Sequence, residues 1–423
     1  MLFKRLSCLD FGYICKPMYS FGPMQSKVLK GQLNLPISKS MANRMLILCA
    51  LNHQTLPAYD ASWSNDVKCL HNHLSHPSEV YDFRDAGTPL RLFVAYAALT
   101  HQKGIITGSD RLKARPLKAL LIALESLGAE FDYLEQAYQL PLKVIKPLDL
   151  NADFCSVDVH ESSQFLSALI LIAPWFKQGL VIETIGREVS STYKQMSLDC
   201  VRQMADVEQL SRSRIQVHPK RIDALILPND YEADWSSAAF VLAWAALSEQ
   251  CDIVLPHLKA DSVQGDAIIQ VLLKPWGVNC VETKEGLRVI KQSHQGLPSE
   301  LTFDLQQTPD LFPVLFALCA CSQVNANFKG IAHQVYKESD RIQSMLSNFI
   351  PYGLAADLDI NGDALQLTKG LDELALYTFR SYADHRVIMA CSLLAMKAKV
   401  QFDAVHDVAK SFPHFFEKMK ALN

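Results

Sequence analysis

Apolar residues fall in dense blocks of twelve to fourteen along this chain, and six blocks open on a small, hydroxyl or acidic residue, the usual mark of a capped helix start. They begin at Ser38 (SKSMANRMLILCAL), Gly87 (GTPLRLFVAYAAL), Ser162 (SSQFLSALILIA), Ser236 (SSAAFVLAWAAL), Thr308 (TPDLFPVLFALCA) and Asp384 (DHRVIMACSLLAM). Successive starts lie 49, 75, 74, 72 and 76 residues apart. Four near-equal spacings predict an internal repeat. Thr88 is expected to cap its helix with Pro89 at the first helical position, and Thr308 with Pro309 repeats the arrangement. Pro313, one turn later, predicts an irregular start to that helix.

Between the blocks lie short strand-like runs, LKVIKPL, GLVIETI, RIDALIL, CDIVL, GLRVI and ALQLTKG, and second helices such as 116–127. Each unit mixes strands with helices, so the fold class is α/β (α+β). Six units over two domains give three per domain. The interval between Asp66 and Asp85 has room for a helix and one strand, so the first repeat is expected to be shortened.

Composition narrows the class. The chain has 423 residues, 49% hydrophobic and 20% charged, which is globular and too long for one core. Forty-one basic against 44 acidic residues leave a net charge of −3, with no global attraction to nucleic acid or to an anionic membrane. Eleven cysteines, an odd count without a C-x-x-C pair, disfavour a disulfide framework or a zinc site and suit a reducing cytosol. Lys4 and Arg5 precede an apolar run that Asp10 interrupts, with no small-residue cleavage site, so no signal peptide is expected. The apolar stretches at 165–176 and 238–247 are too short to span a bilayer. A cytoplasmic protein is expected.

Charge placement is the informative anomaly. Helix N-termini favour carboxylates, yet Lys39 and Arg44, Arg91, Arg115, and His385 with Arg386 stand at or just before helix starts. Lys337 and Arg341 are spaced i, i+4 in KESDRIQSML, with Glu338 three residues before Arg341. A helix N-terminus combined with a guanidinium or ammonium suits a multiply charged anion. If these starts converge on a cleft between domains, the cleft is cationic despite the net charge, and its ligand carries two or more anionic groups.

Ten motifs in order, LPISKSMANR, DAGTPLR, LKARP, SSQFLSAL, EADWSSAAF, VQGD, TPDLFP, KESDR, DHR and AKSFPHFF, span about residues 31–416. With them the chain resembles the 5-enolpyruvylshikimate-3-phosphate synthase family. The resemblance implies a two-domain fold of six βαβαββ units with the active site between the domains. The chain would cross twice, so that 1–35 with 229–423 form one domain and 36–228 the other. It implies transfer of enolpyruvyl from phosphoenolpyruvate to the 5-hydroxyl of shikimate 3-phosphate, with release of phosphate and inhibition by glyphosate. It also implies no metal, no cofactor, and a monomer.

By motif, the resemblance assigns Lys39, Ser40, Arg44, Ser162, Ser163, Ser190, Tyr193, Asp310, His333 and Lys337 to shikimate 3-phosphate. It assigns Lys39, Gly87, Arg115, Gln164 and Lys410 to phosphoenolpyruvate, with Arg341 and Arg386 forking onto its carboxylate. Asp310 is the candidate base, assisted by Lys337 and Lys39, and Glu338 with His385 is the candidate for proton transfer at the methylene. Asp310 also fits a helix-start carboxylate, and Glu338 an i, i+3 partner of Arg341. Arg91 is expected to support the Gly87 loop, Asp234 with Ser236 and Ser237 to cap, and Gln264–Asp266 to stabilise a turn.

Several positions depart from the family pattern: Ile37 and Ala233 for glycine, Asp85 for asparagine, Thr192 for proline, and His333 where asparagine is frequent. Asp85 is expected to pair with Arg91 or Arg115, since an unpaired carboxylate would repel the substrates. Two alternatives share the scaffold: UDP-N-acetylglucosamine enolpyruvyl transferase, against which SKSMANR, SSQ and KESDR speak, and a non-catalytic anion-binding homologue.

Overall fold

A computed structural model describes residues 18–186, 191–221, 232–291 and 296–422. Ser190, residue 229 and the RIDALIL run beyond Arg221 lie outside the described residues.

The six apolar blocks become the helices at the centre of two hydrophobic cores. Lys39–Leu51, Gly87–Thr100 and Ser163–Ile172 pack together in a core drawn from Ala42 to Val217. Trp235–Leu247, Phe312–Ser322 and His385–Cys391 lie in a second core drawn from Phe21–Leu33 and Ala233–Leu422. These helices are apolar on nearly every side because sheets and second helices surround them.

Sheets wrap the helices in a recurring order. Phe154–Asp158 runs parallel to Leu180–Ile185, which pairs antiparallel with Arg214–Val217, and Val207–Gln209 closes the edge. The sheet over Val80–Asp82, Ile105–Thr107, Glu130–Tyr133 and Leu142–Lys146 and the one over Glu300–Asp304, Asn325–Lys329, Ala355–Leu358 and Ala364–Lys369 repeat that topology. A parallel strand, a buried helix, its parallel neighbour, a second helix and an antiparallel pair make each unit βαβαββ.

Two units borrow strands from the start of the chain. Val28–Gln32 supplies the parallel partner of Gln250–Leu255, and Tyr19–Phe21 pairs antiparallel with Lys399–Phe402. The first unit is shortened as expected: helices Lys39–Leu51 and Asn65–Ser75 are present, and the next strand, Val80–Asp82, belongs to the following sheet.

The chain crosses between cores at 33–38 and again before Ala233. There Ile37 and Ala233, two of the departures from the family pattern, face each other in an antiparallel bridge. Asp234 N–H donates to the Pro36 carbonyl at 2.9 Å and Ser38 N–H to the Glu232 carbonyl at 2.8 Å. Ile37 keeps a negative φ, so the turn accepts a branched residue.

Helix starts match with two exceptions, the Gly87 and Thr308 blocks, where no side chain caps the first turn. Ser38, Ser162, Asp234 and Asp384 each accept a hydrogen bond from a first-turn N–H. Pro309 opens a 3₁₀ turn, Pro309–Leu311, before the α-helix begins at Phe312, the irregularity that Pro313 predicts. In the second block Ala86 holds the cap position without a side-chain bond, and Pro89 is the third helical residue rather than the first. The first turn has no intrahelical acceptor for its N–H groups, so proline is still tolerated there. The Thr88 hydroxyl instead accepts from Gln164 Nε2 at 2.8 Å.

Candidate active site

All six helix starts meet at one hollow between the cores. Lys39, Ser40 and Arg44 come from the first, Thr88 and Arg91 from the second, and Ser163 and Gln164 from the third. Asp234 and Ser236, Asp310, and Arg386 come from the other three. Arg115, Ser162, Tyr193, His333, Lys337, Glu338 and Arg341 complete the predicted residues that line it. Glu161 and Tyr336, which the sequence reading left aside, line it too.

The cations are bound to carboxylates across the hollow. Arg341 lies between three of them: Nη1 to Asp310 at 2.8 Å, Nη2 to Glu338 at 2.7 Å and Nε to Asp384 at 2.9 Å. Arg386 Nη2 meets the other Asp310 oxygen at 2.8 Å, and the Tyr193 hydroxyl donates to that oxygen at 2.9 Å. Lys39 Nζ pairs with Asp66 at 3.2 Å, and its N–H donates to Asp234 at 3.2 Å. The two candidate carboxylates take the places that their local patterns predict and line the hollow as well. Asp310 sits in a helix-start turn and Glu338 is the i, i+3 partner of Arg341, yet each also faces the hollow.

These pairings decide charge states. Burial pushes Asp310 up, but Arg386, Lys337 and Arg341 outweigh it and hold its carboxyl well below the ordinary range. Burial likewise raises Glu338, and Arg341, Lys410 and Arg115 drive it well below. Burial lowers Lys337, which Asp310 partly offsets. Burial with Lys337 beside it lowers His333 to about 3, so its imidazole is neutral and its Nε2 has no partner among the described residues.

Three predicted site residues behave differently from expectation. His385 does not line the hollow: it is fully buried, and burial with Lys39 and Arg386 beside it keeps it well below its ordinary value. An enclosed, uncharged imidazole brings no positive charge to the cleft. Lys410 stands behind Glu338, 3.7 Å from its carboxylate, and donates to the Asp85 carbonyl at 2.9 Å. Arg44 is bonded to Ser197, the Ser40 carbonyl, Ser167 and the Tyr193 carbonyl at 2.8, 2.8, 2.9 and 3.1 Å. Four donor contacts on the protein leave it chiefly a brace for the Ser40 and Tyr193 backbone.

Gly87 is also used in a new way. A Cβ there would lie 2.8 Å from the Arg115 guanidinium carbon and 2.9 Å from Arg91 Nη1. Arg91 ties the two loops together, with Nη1 on the Gly87 carbonyl at 3.0 Å and Nη2 on the Pro116 carbonyl at 2.6 Å. Asp85 does not pair with either arginine; the Ser109 hydroxyl donates to it. Thr192, in the place of proline, donates to the Gln307 carbonyl at 3.2 Å, a bond across the cores that proline lacks.

The sequence reading gave Asp66, Asp384 and Asp266 no part in the site's charge network. Asp66 stands in a capped first turn and Asp384 at an N-cap, so each passes for a helix-start carboxylate. Asp266 is fully buried, accepts from the Ser236 hydroxyl, and is raised by burial and by Asp310 to about 6. The neutral form is favoured in the folded protein. That contribution is complete below the ordinary value of 3.8 and is lost as the pH rises through about 6. Asp266→Asn is expected to raise Tm at pH 8 by the equivalent of about 3 kcal/mol and to keep only about half of that advantage at pH 5. Thermal unfolding at the two pH values checks it; an equal shift at both would mean that Asp266 does not titrate there.

Unpartnered polar atoms border the same hollow. Arg91 Nε, Arg115 Nε, Gln164 Oε1 and His333 Nε2 are buried without a hydrogen-bond partner among the described residues. Buried polar groups are rarely left so, which marks a place built for a polar ligand. Among the described residues no group of three His, Cys, Asp or Glu is arranged to hold a metal ion, and no helix is long and apolar enough to cross a membrane.

The profile of EPSP synthase (3-phosphoshikimate 1-carboxyvinyltransferase) matches residues 67–419. The chain belongs to the EPSP synthase family. It is 31% identical over 396 residues to 3-phosphoshikimate 1-carboxyvinyltransferase of Bacteroides fragilis, covering 93% of this chain and 95% of that protein. To the enzyme of the same name from Syntrophobacter fumaroxidans it is 32% identical over 435 residues, covering 93% and 98%. Among solved structures, EPSP synthase from Acinetobacter baumannii superposes with a TM-score of 0.71 at 19% identity, covering 96% of this chain and 98% of that one. An enolpyruvyl transferase from Streptomyces tendae superposes with a TM-score of 0.61 at 12% identity, covering 96% and 97%. Both likenesses establish the two-domain α/β fold of the EPSP synthase family.

Proposed function

We propose that this chain transfers the enolpyruvyl group of phosphoenolpyruvate to the 5-hydroxyl of shikimate 3-phosphate and releases phosphate, a step of aromatic amino acid biosynthesis. The observation that carries the reading is the convergence of six helix starts from two cores on one hollow where Asp310 and Glu338 face Lys39, Arg115, Lys337, Arg341 and Arg386. We read the two cores as domains, 1–35 with 229–423 and 36–228, in a cytoplasmic monomer.

The pairings suggest how substrate prepares the site. Arg341 and Arg386 hold Asp310, and Arg341 holds Glu338. When the carboxylate of phosphoenolpyruvate engages those guanidinium groups, their field on the two acids is partly neutralised and both become stronger bases. Asp310 then accepts the proton of the 5-hydroxyl as the hydroxyl oxygen bonds to C2 of the enol, while Glu338, ionised at rest, takes up a proton from solvent and delivers it to the methylene carbon. The tetrahedral adduct collapses as the C2–O bond to phosphate breaks and the new methyl group returns a proton, restoring the double bond. Arg115, Lys39 and the Gln164 amide meet the departing phosphate, and Ser40, Ser162, Ser163, Tyr193 and His333 hold shikimate 3-phosphate. Lys410 acts through Glu338.

Purified protein is expected to release inorganic phosphate from phosphoenolpyruvate with shikimate 3-phosphate and not with UDP-N-acetylglucosamine. No release above a boiled control with either acceptor would overturn the reading, and release with the nucleotide sugar would reassign the acceptor. Gly87→Ala should displace the Arg115 guanidinium and raise the KM for phosphoenolpyruvate about 10- to 100-fold with a smaller change in kcat, as expected for one lost hydrogen bond to a charged group. An unchanged KM would place Arg115 away from that substrate.

A further inference from the structure

Lys337 and Glu338 reach the hollow on a short link between the 3₁₀ turn Ala332–Tyr336 and helix Arg341–Phe349, on the side of the second core. A side chain from the first core holds that link. Arg111 Nε donates to the Glu338 carbonyl at 2.7 Å, and Arg111 Nη2 donates to the Lys337 carbonyl at 3.1 Å. One planar fork on two successive carbonyls fixes the orientation of both peptide planes.

Arg111 is itself supported. It lies in the one-turn helix Asp110–Lys113, whose cap Ser109 accepts from Leu112 N–H at 3.2 Å and donates to Asp85. The Asp85 carbonyl in turn receives Lys410, which pairs with Glu338. Asp85 and Ser109 thus join Arg111 to the far side of the same link. Arg111 lines a neighbouring cavity and not the catalytic hollow, so whatever it does there passes through the 337–338 backbone.

We propose that Arg111, braced by Ser109 and Asp85, is a positioning residue that couples the juxtaposition of the two lobes to the aim of Lys337 and Glu338. The proposal rests on the enolpyruvyl transfer reading above. Arg111 is exposed and its acceptors are carbonyls on a surface link, so water replaces the lost bonds and the fold survives. Geometry does not survive as well, because a displacement of about 1 Å at a reacting group costs about 10²-fold in rate.

The test compares Arg111→Ala and Arg111→Lys with the unaltered chain. In Arg111→Ala, kcat should fall about 10- to 100-fold while the KM for shikimate 3-phosphate stays within about twofold and Tm within about 2 °C. Arg111→Lys, which supplies one point donor in place of a fork, should lie between. Without any substrate, amide hydrogen exchange over 332–341 should quicken at least about fivefold in Arg111→Ala, with Phe312–Ser322 unchanged. A kcat within twofold of the unaltered chain overturns the proposal, as does unchanged exchange. If the unaltered chain releases no phosphate, the functional reading fails by itself, and the exchange measurement alone then decides whether Arg111 holds the link.

Discussion

Asp310→Asn should lower kcat by about 10²- to 10⁴-fold, the span general-base catalysis covers, without raising the KM for phosphoenolpyruvate. Asp310 occupies both Arg341 and Arg386 through its two oxygens, and the Tyr193 hydroxyl as well. The amide keeps the volume but loses the charge, and its NH2 turns a donor toward neighbours that are donors themselves. The two guanidinium groups are then less neutralised and remain available to the substrate carboxylate, so binding holds while proton removal fails. Because these cations hold Asp310 well below its ordinary value, kcat/KM should show no fall from this group above pH about 4. Steady-state kinetics over a pH series checks both statements. A raised KM with unchanged kcat would make Asp310 a binding residue.

Arg341→Ala should be the most damaging change to stability. Among the described residues Arg341 alone touches Asp310, Glu338 and Asp384, and its loss leaves one buried and two half-buried carboxylates short of positive charge. Breaking a buried pair costs about 3–5 kcal/mol, so Tm should drop by about 10 °C at pH 8. The sign of the pH dependence follows from the same charges. In the unaltered chain the depressed acids stabilise above their ordinary pKa values, and that stability is lost as the pH falls through their lower folded values. In the variant Glu338, on which Arg341 is the largest lowering charge, rises most, while Arg386 and Lys337 still hold Asp310 down, so protonation of Glu338 relieves the repulsion and the deficit narrows as the pH falls. A Tm at pH 8 within 2 °C of the unaltered chain would show that the carboxylates are balanced without Arg341.

Much of this site was legible because its residues announce themselves locally. Ser38, Ser162 and Asp384 are caps that act within three residues, and the apolar blocks that follow them are helices whatever their partners. The repeat spacing then predicts that the cations beside those starts are equivalent points of equivalent units, and all six starts do meet. Arg44 shows where that reasoning stops. Its residue type and place suit an anion, but Ser197, Ser167 and the Tyr193 carbonyl, more than a hundred residues away, already occupy it. His385 fails likewise, because nothing near it in sequence tells that the packed cores enclose it. Asp85 found Ser109 and not an arginine, a choice between neighbours that spacing does not reveal.

The amino-acid order by itself determined the α/β class, the six buried helices, the shortened first unit and the set of charged residues at the helix starts. These depend on side-chain periodicity, on capping and on proline, forces that act over one or two helical turns. The tertiary structure alone decided that Val28–Gln32 completes a sheet with Gln250–Leu255, that Arg341 stands among Asp310, Glu338 and Asp384, and that Arg111 grips the backbone of Lys337 and Glu338. A buried charge pairs with whichever opposite charge the packed cores bring within about 3 Å, and a strand edge pairs with whichever edge lies beside it. Those neighbours are set by how the two lobes close on each other, which is a property of the whole chain.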